Sequence, residues 1–384
     1  MKGSIEKISN STYRLRYPIG TLPNGNPDRI SKVVKAKTDK DAYMELAKWN
    51  IDIEKKGYSK LNSITFKNFF ENNWKKEAKL NLEEKTYEEY ESIIESRFVK
   101  KLGNKKIIDI KPYEIKELVI NVKRLDSRKG SVSRQRKKRI LSALSNVFIV
   151  AIDEYRIITE NPCNSVRIPK EKNVEIHTFP PYTTTEITEL FKILRGAPLR
   201  TQAIIMSAIT TGARQGEIAA LEERHFNFST NEVTFDQRII ALKEGLKRKD
   251  GLKSSNSKTM IVPEQYLNVI KEQIELNDQD RHKLNIDKNE LKHLYIFGHP
   301  DGKPITPISL NRHWRRFADT NSLRYIRFHD FRHTSATFLI GKNTPVKNVQ
   351  ERLGHKDFST TMNIYSHALK EIDEKASNEF SSFF

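Results

Sequence analysis

Cysteine is nearly absent from this sequence: Cys163 is the only one among 384 residues. A single cysteine forms no internal disulfide and excludes a cysteine-rich zinc module, so we interpret Cys163 as a small buried side chain. Apolar runs of about 18 residues, the length that a membrane-spanning helix needs, are absent as well. The opening Met-Lys-Gly-Ser-Ile-Glu-Lys leads into no apolar signal core. The sequence therefore predicts an intracellular protein that does not enter a membrane.

Negative charge is also scarce. Lys and Arg number 68 against 49 Asp and Glu, which gives a formal net charge of +19. Such an excess favours a polyanionic partner, and nucleic acid comes first. No Gly-x-x-x-x-Gly-Lys-Ser/Thr stretch occurs, so we predict no phosphate loop for ATP. Hydrophobic residues nevertheless make up 37% of the chain, enough for the cores of two or three domains.

Patterning divides the chain into three predicted domains and indicates a multidomain α+β fold. Residues 1–57 predict a small three-stranded sheet with one helix, because residues 13–17 alternate with the period of a strand and Thr38 is placed to cap a helix. Residues 62–168 predict an all-helical domain, in which Phe66, Phe69, Phe70 and Trp74 form one aromatic helix face. Residues 175–384 mix helices with strand-like segments at 232–235 and 259–263, which predicts a mainly helical domain with a small antiparallel sheet.

Two patterns predict helix starts in the all-helical domain. Thr86 and Glu89 have the spacing of a capping box, and Ser131 or Ser133 precedes the strongest predicted helix. That helix opens with a dense basic run. A charge run is ordinarily a solvated face, but in a chain of this net charge we interpret it as a surface that follows DNA phosphates. Its members are Arg134, Arg136, Lys137, Lys138 and Arg139.

The residues that could take part in a reaction lie in the last domain. The first group is residues 211–218, Thr-Gly-Ala-Arg-Gln-Gly-Glu-Ile. Arg214 and Glu217 are three residues apart, so on a helical turn they share a face and the carboxylate can hold the guanidinium in position. Taken alone, such a pair is most often a surface ion pair.

The second group is residues 328–334, Phe-His-Asp-Phe-Arg-His-Thr. His329 and Arg332 share a helix face, and an imidazole beside a planar guanidinium suits a phosphate. His329 and His333 also have the i, i+4 spacing of two zinc ligands. The zinc-protease pattern requires Glu after the first histidine, where this chain has Asp330, and no third ligand follows nearby. We therefore predict no metal site.

The third group is Leu-Gly-His at residues 353–355, followed ten residues after the histidine by Tyr365. A Gly-His pair is ordinarily a helix end, and a lone tyrosine near a carboxy terminus is ordinarily a packed aromatic. Each of the three groups is weak alone, but their order and spacing together are not.

Ala-Arg-Gln-Gly-Glu, His-Asp-Phe-Arg-His, Leu-Gly-His and the late tyrosine together resemble the signature of tyrosine recombinases, the phage integrase family. The resemblance covers essentially the whole chain and points to integrases of conjugative transposons and phages of Gram-positive bacteria. It implies an arm-type DNA-binding domain, a core-binding domain and a catalytic domain, in that order. It also implies two phosphate-clamping arginines, two active-site histidines, a nucleophile and a supporting carboxylate: Arg214 and Arg332, His329 and His355, Tyr365, and Glu217.

The family also carries an active-site lysine on a β-hairpin. Residues 252–263 resemble that hairpin, and Lys253 stands at the matching place. This assignment is the loosest of the set because four further lysines lie nearby: Lys243, Lys247, Lys249 and Lys258.

By this resemblance the protein is a site-specific recombinase that integrates and excises a mobile element. Tyr365 would form a 3′-phosphotyrosyl bond, and strand exchange would pass through a Holliday junction, which implies a homotetramer on double-stranded DNA. The amino-terminal sheet, with Arg14 and Arg16 on one strand face, would bind distal arm sites. The resemblance further implies a bacterial cytoplasmic location, an excision factor or a host DNA-bending protein as partner, and no metal ion or other cofactor.

Other activities stay open on the sequence alone. A type IB topoisomerase-like enzyme uses similar chemistry without partner exchange, although the separate amino-terminal domain argues against it. A DNA-binding regulator would keep the fold without the reaction. A metal-dependent nuclease would lose its activity in a strong chelator.

Overall fold

A computed structural model shows the fold and describes residues 3–9, 11–21, 27–56, 63–126, 131–170, 180–253 and 257–354. The chain forms two compact units, Met1–Val174 and Glu175–Phe384. The division into domains at 1–57, 62–168 and 175–384 stays a prediction. No helix in the described ranges has both the length and the apolar character to cross a bilayer.

The first unit opens with an antiparallel sheet and one helix. The three strands pair in the order β1-β2-β3. The elements are β1 Ser4–Ser9, β2 Thr12–Thr21, β3 Pro27–Lys35 and α1 Asp39–Lys56. Tyr13, Leu15 and Tyr17 alternate toward one side of β2 and are buried, Tyr13 with Ala42 and Tyr17 with Ile53 of α1. The three strands and the helix predicted for this region are confirmed.

Thr38 caps α1 as predicted. Its hydroxyl accepts a hydrogen bond from the backbone N–H of Asp41 at 3.2 Å, and the Asp41 carboxylate accepts one from the backbone N–H of Thr38 at 3.1 Å. This reciprocal pair satisfies N–H groups that a first helical turn leaves without intrahelical partners.

The rest of the first unit is helical. Its elements are α2 Phe66–Phe69, a π-helical turn Phe70–Trp74, α3 Lys75–Asn81, α4 Glu84–Ile94, a π-helical turn Glu95–Val99, α5 Lys100–Leu102, a 3-10 turn Ile107–Asp109, α6 Pro112–Ile120 and α7 Arg134–Asp153. Phe66, Phe69, Phe70 and Trp74 are fully buried in its core, and the Trp74 indole donates to Asn146 of α7 at 2.9 Å. The predicted aromatic face is therefore the core of this part.

Two further predictions for the helical part are confirmed. Ser133 caps α7, since its hydroxyl accepts from the backbone N–H of Arg136 at 3.3 Å. Cys163 is buried, and burial raises the pKa of its thiol to about 12. The thiolate, which is the reactive form, is therefore scarce at neutral pH.

The capping box predicted at Thr86 and Glu89 is wrong. Helix α4 begins earlier, at Glu84. The Glu89 carboxylate instead accepts hydrogen bonds from Arg136 at 2.6 Å and from Arg139 at 2.8 and 3.1 Å. Two guanidinium groups on a neighbouring helix bind this carboxylate more strongly than one backbone N–H would.

The second unit is mainly helical with two small sheets. Its elements are α8 Thr184–Leu194, α9 Leu199–Thr211, α10 Gln215–Ile218, a 3-10 turn Glu223–His225, β4 Phe226–Asn227, β5 Glu232–Phe235, β6 Gln237–Leu242, β7 Gly245–Asp250, β8 Lys258–Ile261, α11 Glu264–Lys283, a 3-10 turn Lys288–Glu290, α12 Pro307–Thr320, α13 Asp330–Gly341 and α14 Val346–Leu353. One sheet has the order β4-β5-β8, and β6 with β7 forms a separate hairpin. The core includes Trp314 and Phe331, whose ring centres lie 4.7 Å apart. This is the mainly helical domain with a small antiparallel sheet that the sequence predicts.

The lysine-bearing hairpin predicted at residues 252–263 does not form as expected. Its second half, β8, pairs with β5 instead, with Lys258 opposite Phe235 and Met260 opposite Val233. The hairpin of this region is β6–β7, which comes earlier in the chain. Burial gives the physical reason: the apolar residues of β5 and β8 are buried together, whereas β7 is basic and largely exposed.

Candidate active site

The turn between α9 and α10 positions Arg214. Helix α9 ends at Gly212 with φ +59°, and a Cβ on this residue would lie 2.4 Å from the Leu353 side chain. Glycine is therefore favoured both by the left-handed backbone and by the close approach. Just beyond the turn, the Glu217 carboxylate accepts from the backbone N–H and from the guanidinium of Arg214, both at 3.0 Å. Because Glu217 is buried, this is not the surface ion pair that the spacing alone suggests.

Arg332, in the first turn of α13, is buried as well. Its guanidinium donates to the carbonyl of Gly212 at 2.8 Å and to that of Leu353 at 2.6 Å. These carbonyls lie at the ends of α9 and α14, so one side chain ties two helix ends together. Desolvation, and then the positive charge of Arg214, lower the pKa of Arg332 to about 10. The guanidinium therefore stays charged at neutral pH.

Asp330, which stands where the zinc-protease pattern has Glu, has a structural role. Its buried carboxylate accepts from the backbone N–H of Arg327 at 3.0 Å and from the Arg327 guanidinium at 2.8 and 2.9 Å. These bonds fix the start of α13, which carries His329 and Arg332.

His329 and His333 lie side by side, with ring centres 5.5 Å apart and perpendicular planes. Desolvation, and then the charges of His333 and Arg332, lower the pKa of His329 to about 4. The His329 side chain is exposed, so water screens part of this effect, and the direction is what matters: the imidazole is neutral at pH 7. A neutral imidazole has one donor and one acceptor nitrogen. No group of three His, Cys, Asp or Glu side chains suited to a metal ion occurs within the described ranges.

Helix α14 brings Leu353 and Gly354 to the same place. Gly354 ends α14 with φ +68°, and its carbonyl lies 3.5 Å from the Arg214 guanidinium. Arg352 donates to the carbonyls of Ile261 and Thr210, both at 3.1 Å, which holds α14 against β8 and α9. Arg214, Arg332 and the end of α14 therefore meet at one point.

Lys258, at the start of β8, joins this cluster. Its amino group is buried, lies 4.9 Å from the ring centre of Phe235 and has no hydrogen-bond partner in the described part of the chain. Desolvation lowers the pKa of Lys258 to about 8. Glu217 opposes this shift, and three arginines reinforce it: Arg332, Arg214 and Arg352.

Strand alternation was the sequence signal for Lys258. Lys258, Met260 and Val262 follow each other with a period of two, and the last two are buried, so the lysine lies on the inward face of β8. The sequence alone does not show which strand β8 pairs with. It therefore does not distinguish Lys258 from the other lysines near Lys253.

The predicted catalytic residues have different outcomes. Arg214, Glu217 and Arg332 come together in one cluster, with His329 at the start of α13. Lys253 is exposed and precedes residues 254–256, which lie outside the described residues. His355 and Tyr365 lie outside them too, and Gly354 is the last residue described. The roles of all these residues stay predictions.

The predicted DNA-binding arginines of the amino-terminal sheet share a carboxylate. Glu6 on β1 accepts from Arg14 at 3.3 Å and from Arg16 at 2.6 Å. Both arginine side chains are partly exposed on β2, 41% for Arg14 and 38% for Arg16, on the side opposite the buried tyrosines. Their role in DNA binding stays a prediction.

The basic run at the start of α7 is similar. Arg136 and Arg139 bind Glu89, and Arg134 donates to the carbonyl of Pro169 at 3.2 Å. The two lysines of the run differ in exposure: Lys138 is exposed and Lys137 half-buried. A neighbouring carboxylate already holds two charges of the run, and the role of the run in DNA binding stays a prediction.

Sequence profiles of known families match two stretches of the chain. One is described as "Phage integrase family" and matches residues 182–371, and the other as "Phage integrase, N-terminal SAM-like domain" and matches residues 65–122. Together they cover more than half of the chain. The chain belongs to the phage integrase family of tyrosine recombinases.

Individual relatives differ in how much of the chain they match. The ICEBs1 integrase of Bacillus subtilis (strain 168) is 24% identical over 375 residues, which are 95% of each chain. A tyrosine recombinase XerC-like protein of Caldanaerobacter subterraneus subsp. tengcongensis is 28% identical over 263 residues, which are 64% of this recombinase and 66% of the relative.

Two solved structures share the fold. The Tn1549 transposon integrase, in complex with a circular intermediate DNA, superposes with a TM-score of 0.62 at 17% identity and covers 81% of this chain and 99% of its own. A lambda integrase dimer bound to a COC′ core site gives a TM-score of 0.54 at 19% identity and covers 94% and 93%. These likenesses confirm the fold class of the recombinase.

Proposed function

We propose that this chain is a site-specific DNA recombinase that integrates and excises a mobile element, with Tyr365 as its covalent nucleophile. The observation that carries the proposal is the meeting of Arg214 and Arg332, distant in sequence, at the carbonyls of Gly212, Leu353 and Gly354. The match to the ICEBs1 integrase over 95% of both chains supports it.

The arginine cluster suits a phosphodiester. Each guanidinium offers planar N–H donors that match the non-bridging oxygens of a phosphate. Negative charge grows on these oxygens in the transition state, and donors already held in place stabilise it without reorganising. Glu217 holds Arg214, and two helix-end carbonyls hold Arg332.

The proposed reaction conserves the energy of the broken bond. The Tyr365 oxygen attacks phosphorus, the bond from phosphorus to the 5′ oxygen breaks, and Lys253 gives that oxygen a proton. Tyrosine has an unperturbed pKa of about 10, so the cationic site must favour the phenolate, and the neutral imidazole of His329, with His355, assists proton movement. A 5′ hydroxyl from a partner duplex then attacks the 3′-phosphotyrosine, which restores the phosphodiester and releases the tyrosine.

The proposed partner is double-stranded DNA. Solved structures with the same fold include the Tn1549 integrase with transposon right end DNA and a lambda integrase tetramer bound to a Holliday junction. We therefore propose a homotetramer that binds crossover sites through its helical part and distal arm sites through its amino-terminal sheet. An excision factor or a host DNA-bending protein, and action on DNA in the bacterial cytoplasm, belong to the same proposal.

Covalent trapping tests the proposal. The DNA consists of duplexes that the full chain selects, by binding, from a randomised library. Each duplex carries a nick, so cleavage releases a short fragment, and the reverse reaction that needs this fragment cannot occur. We expect an adduct that survives denaturation, forms in strong chelator and carries the protein on a 3′ phosphate. Tyr365→Phe gives no adduct. Tyr325→Phe, which removes a hydroxyl that donates to the amide oxygen of Asn311 at 3.1 Å, behaves as the wild type.

Four results would contradict the proposal, each in a different way. Equal adduct from Tyr365→Phe would remove the nucleophile. Bound duplex without any adduct would favour the DNA-binding regulator. Efficient relaxation of a supercoiled plasmid without a selected site would favour the topoisomerase-like enzyme, and loss of cleavage in chelator would favour the metal-dependent nuclease.

A further inference from the structure

Positive charge exceeds negative charge among the side chains that act on Lys258. Arg214, Arg332 and Arg352 contribute positive charge, and Glu217 contributes the negative charge. The Glu217 carboxylate already accepts two hydrogen bonds from Arg214. Buried cations without matching anions are costly, so this cluster favours an anionic ligand.

The amino group of Lys258 is the least satisfied member of the cluster. It is buried and makes no hydrogen bond in the described part of the chain, and the Phe235 ring offers only a cation–π contact at 4.9 Å. Most buried polar groups in folded proteins have a hydrogen-bond partner, and one that lacks it calls for an explanation, such as a catalytic role or a bound ion. Since the neighbours of Lys258 are mainly arginines, the missing partner is an anion.

We propose that Lys258 is a ligand of the DNA phosphate that Arg214 and Arg332 bind, and that its amino group gains a hydrogen-bond partner when this phosphate enters. The inference rests on the proposed function and extends it. Lys258 binds the phosphate, whereas the proton for the departing oxygen comes from Lys253.

A linkage between DNA binding and pH follows. The charged groups facing Lys258 come from three helices: Arg214 and Glu217 from the start of α10, Arg332 from α13, and Arg352 from α14. In the free protein burial and the three arginines, opposed by Glu217, lower the pKa of Lys258 to about 8. A phosphate beside the amino group favours the ammonium form and raises this pKa, so binding takes up a proton when the pH is near or above 8.

Equilibrium binding of a selected duplex tests the linkage in the full chain carrying Tyr365→Phe, which prevents cleavage. We expect affinity to fall about tenfold from pH 7 to pH 9, because a group with a pKa of about 8 is then mostly neutral before binding. Calorimetry in buffers of different ionisation enthalpy should show uptake of about 0.5 proton per protomer at pH 8 and almost none at pH 6.5.

Two variants and a control separate the ligand role from a structural one. Lys258→Met should bind about tenfold more weakly at pH 7 and lose the dependence on pH. Lys258→Arg keeps its charge throughout, so it should bind well at pH 7 and also lose the dependence. Lys283→Met removes an exposed lysine that pairs with Asp280 at 3.2 Å and should behave as the parent.

A pH dependence that persists in Lys258→Met or Lys258→Arg would overturn the inference. So would tight, pH-independent binding by the parent protein. In both cases the duplex is still bound, and the protein that keeps Tyr365 still forms the covalent adduct, so the proposed function survives. A protein that selects no duplex and forms no adduct would instead overturn the proposed function.

Discussion

Pairs of arginines occur in both units, but in opposite surroundings. In the first unit, two exposed pairs each share one carboxylate: Arg14 and Arg16 share Glu6, and Arg136 and Arg139 share Glu89. In the second unit, Arg332 is buried and bound to helix-end carbonyls, while Arg214 is bound to the buried Glu217. Arginines at the surface thus have partners that can be exchanged, whereas arginines in the interior have fixed partners.

The difference teaches what each setting can do. An exposed ion pair is screened by water and salt, so a phosphate can replace its carboxylate at little cost. Such arginines can therefore change the affinity for DNA without being fixed in one position. A buried pair with fixed partners cannot rearrange cheaply. It suits one anion in one position, which is what stabilising a transition state requires.

Removal of the buried guanidinium should have the largest effect. We expect Arg332→Gln to slow adduct formation by about 10³-fold, because in the proposed reaction it removes a charge that faces the phosphate oxygens. The measurement is the rate of adduct formation per folded molecule on a nicked, selected duplex.

Arg281→Gln is the matched control for this variant. Arg281 is also buried in the second unit, but it binds Glu223 at 3.3 Å and Asp278 at 2.6 Å. Both variants should lose stability, and Arg332→Gln alone should lose rate. Similar rate losses would mean that any buried arginine matters equally, and the comparison would break.

Substitution of Gly212, whose carbonyl accepts from Arg332, should have the next largest effect, here on stability. Gly212→Ala should lower the free energy of unfolding by about 1–2 kcal/mol, because alanine disfavours a φ of +59° and its Cβ would collide with Leu353. Chemical denaturation measures this change. Gly341→Ala, where a Cβ meets nothing within 4 Å, should change stability little, and a Gly212→Ala protein as stable as that control would refute the argument.

Removal of the carboxylate that pairs with the exposed arginines should increase DNA binding, whereas the preceding substitutions lower activity or stability. Glu89→Gln releases Arg136 and Arg139, so we expect affinity for random duplex DNA to rise about threefold and the salt dependence of binding to steepen by about one phosphate contact. Binding titrations at several salt concentrations measure both. Glu160→Gln removes the same charge from an exposed position in the same unit and should leave the slope unchanged; equal slopes in the two variants would mean that net charge alone controls binding.

An exposed ion pair in the second unit should have the smallest effect. Its Arg324 guanidinium, and then the hydrogen bonds from Thr183, hold the pKa of Glu186 at about 2, against the opposing effect of burial. Because the folded-state pKa lies below the ordinary value, the stabilisation is present above pH 4.5 and is lost as the pH falls toward 2. Glu186→Gln should cost about 1 kcal/mol at pH 7, since solvent screens the pair, and less at pH 3.

Urea denaturation of Glu186→Gln and of the wild type at both pH values measures this difference. Asp301→Asn serves as the control, because its partner Lys303 is highly exposed. A gap between Glu186→Gln and the wild type that grows as the pH falls would contradict the sign of the linkage.

Local patterns predicted much of the fold. The alternation around Leu15, the cap at Thr38 and the aromatic face near Trp74 depend on neighbours in sequence, and the structure confirms all three. The capping box at Thr86 failed because Glu89 binds arginines of a distant helix. A local pattern does not contain that competitor.

The candidate site divides in the same way. The residue types and their order were enough to predict the family, and the resemblance to that family pointed to Arg214 and Arg332. The pairing of β8 with β5, which carries the amino group of Lys258 into the cluster, was beyond the sequence. Strand partners are chosen by apolar surfaces that meet only when the chain folds, so the burial and the charge balance of this site were decided by the tertiary structure.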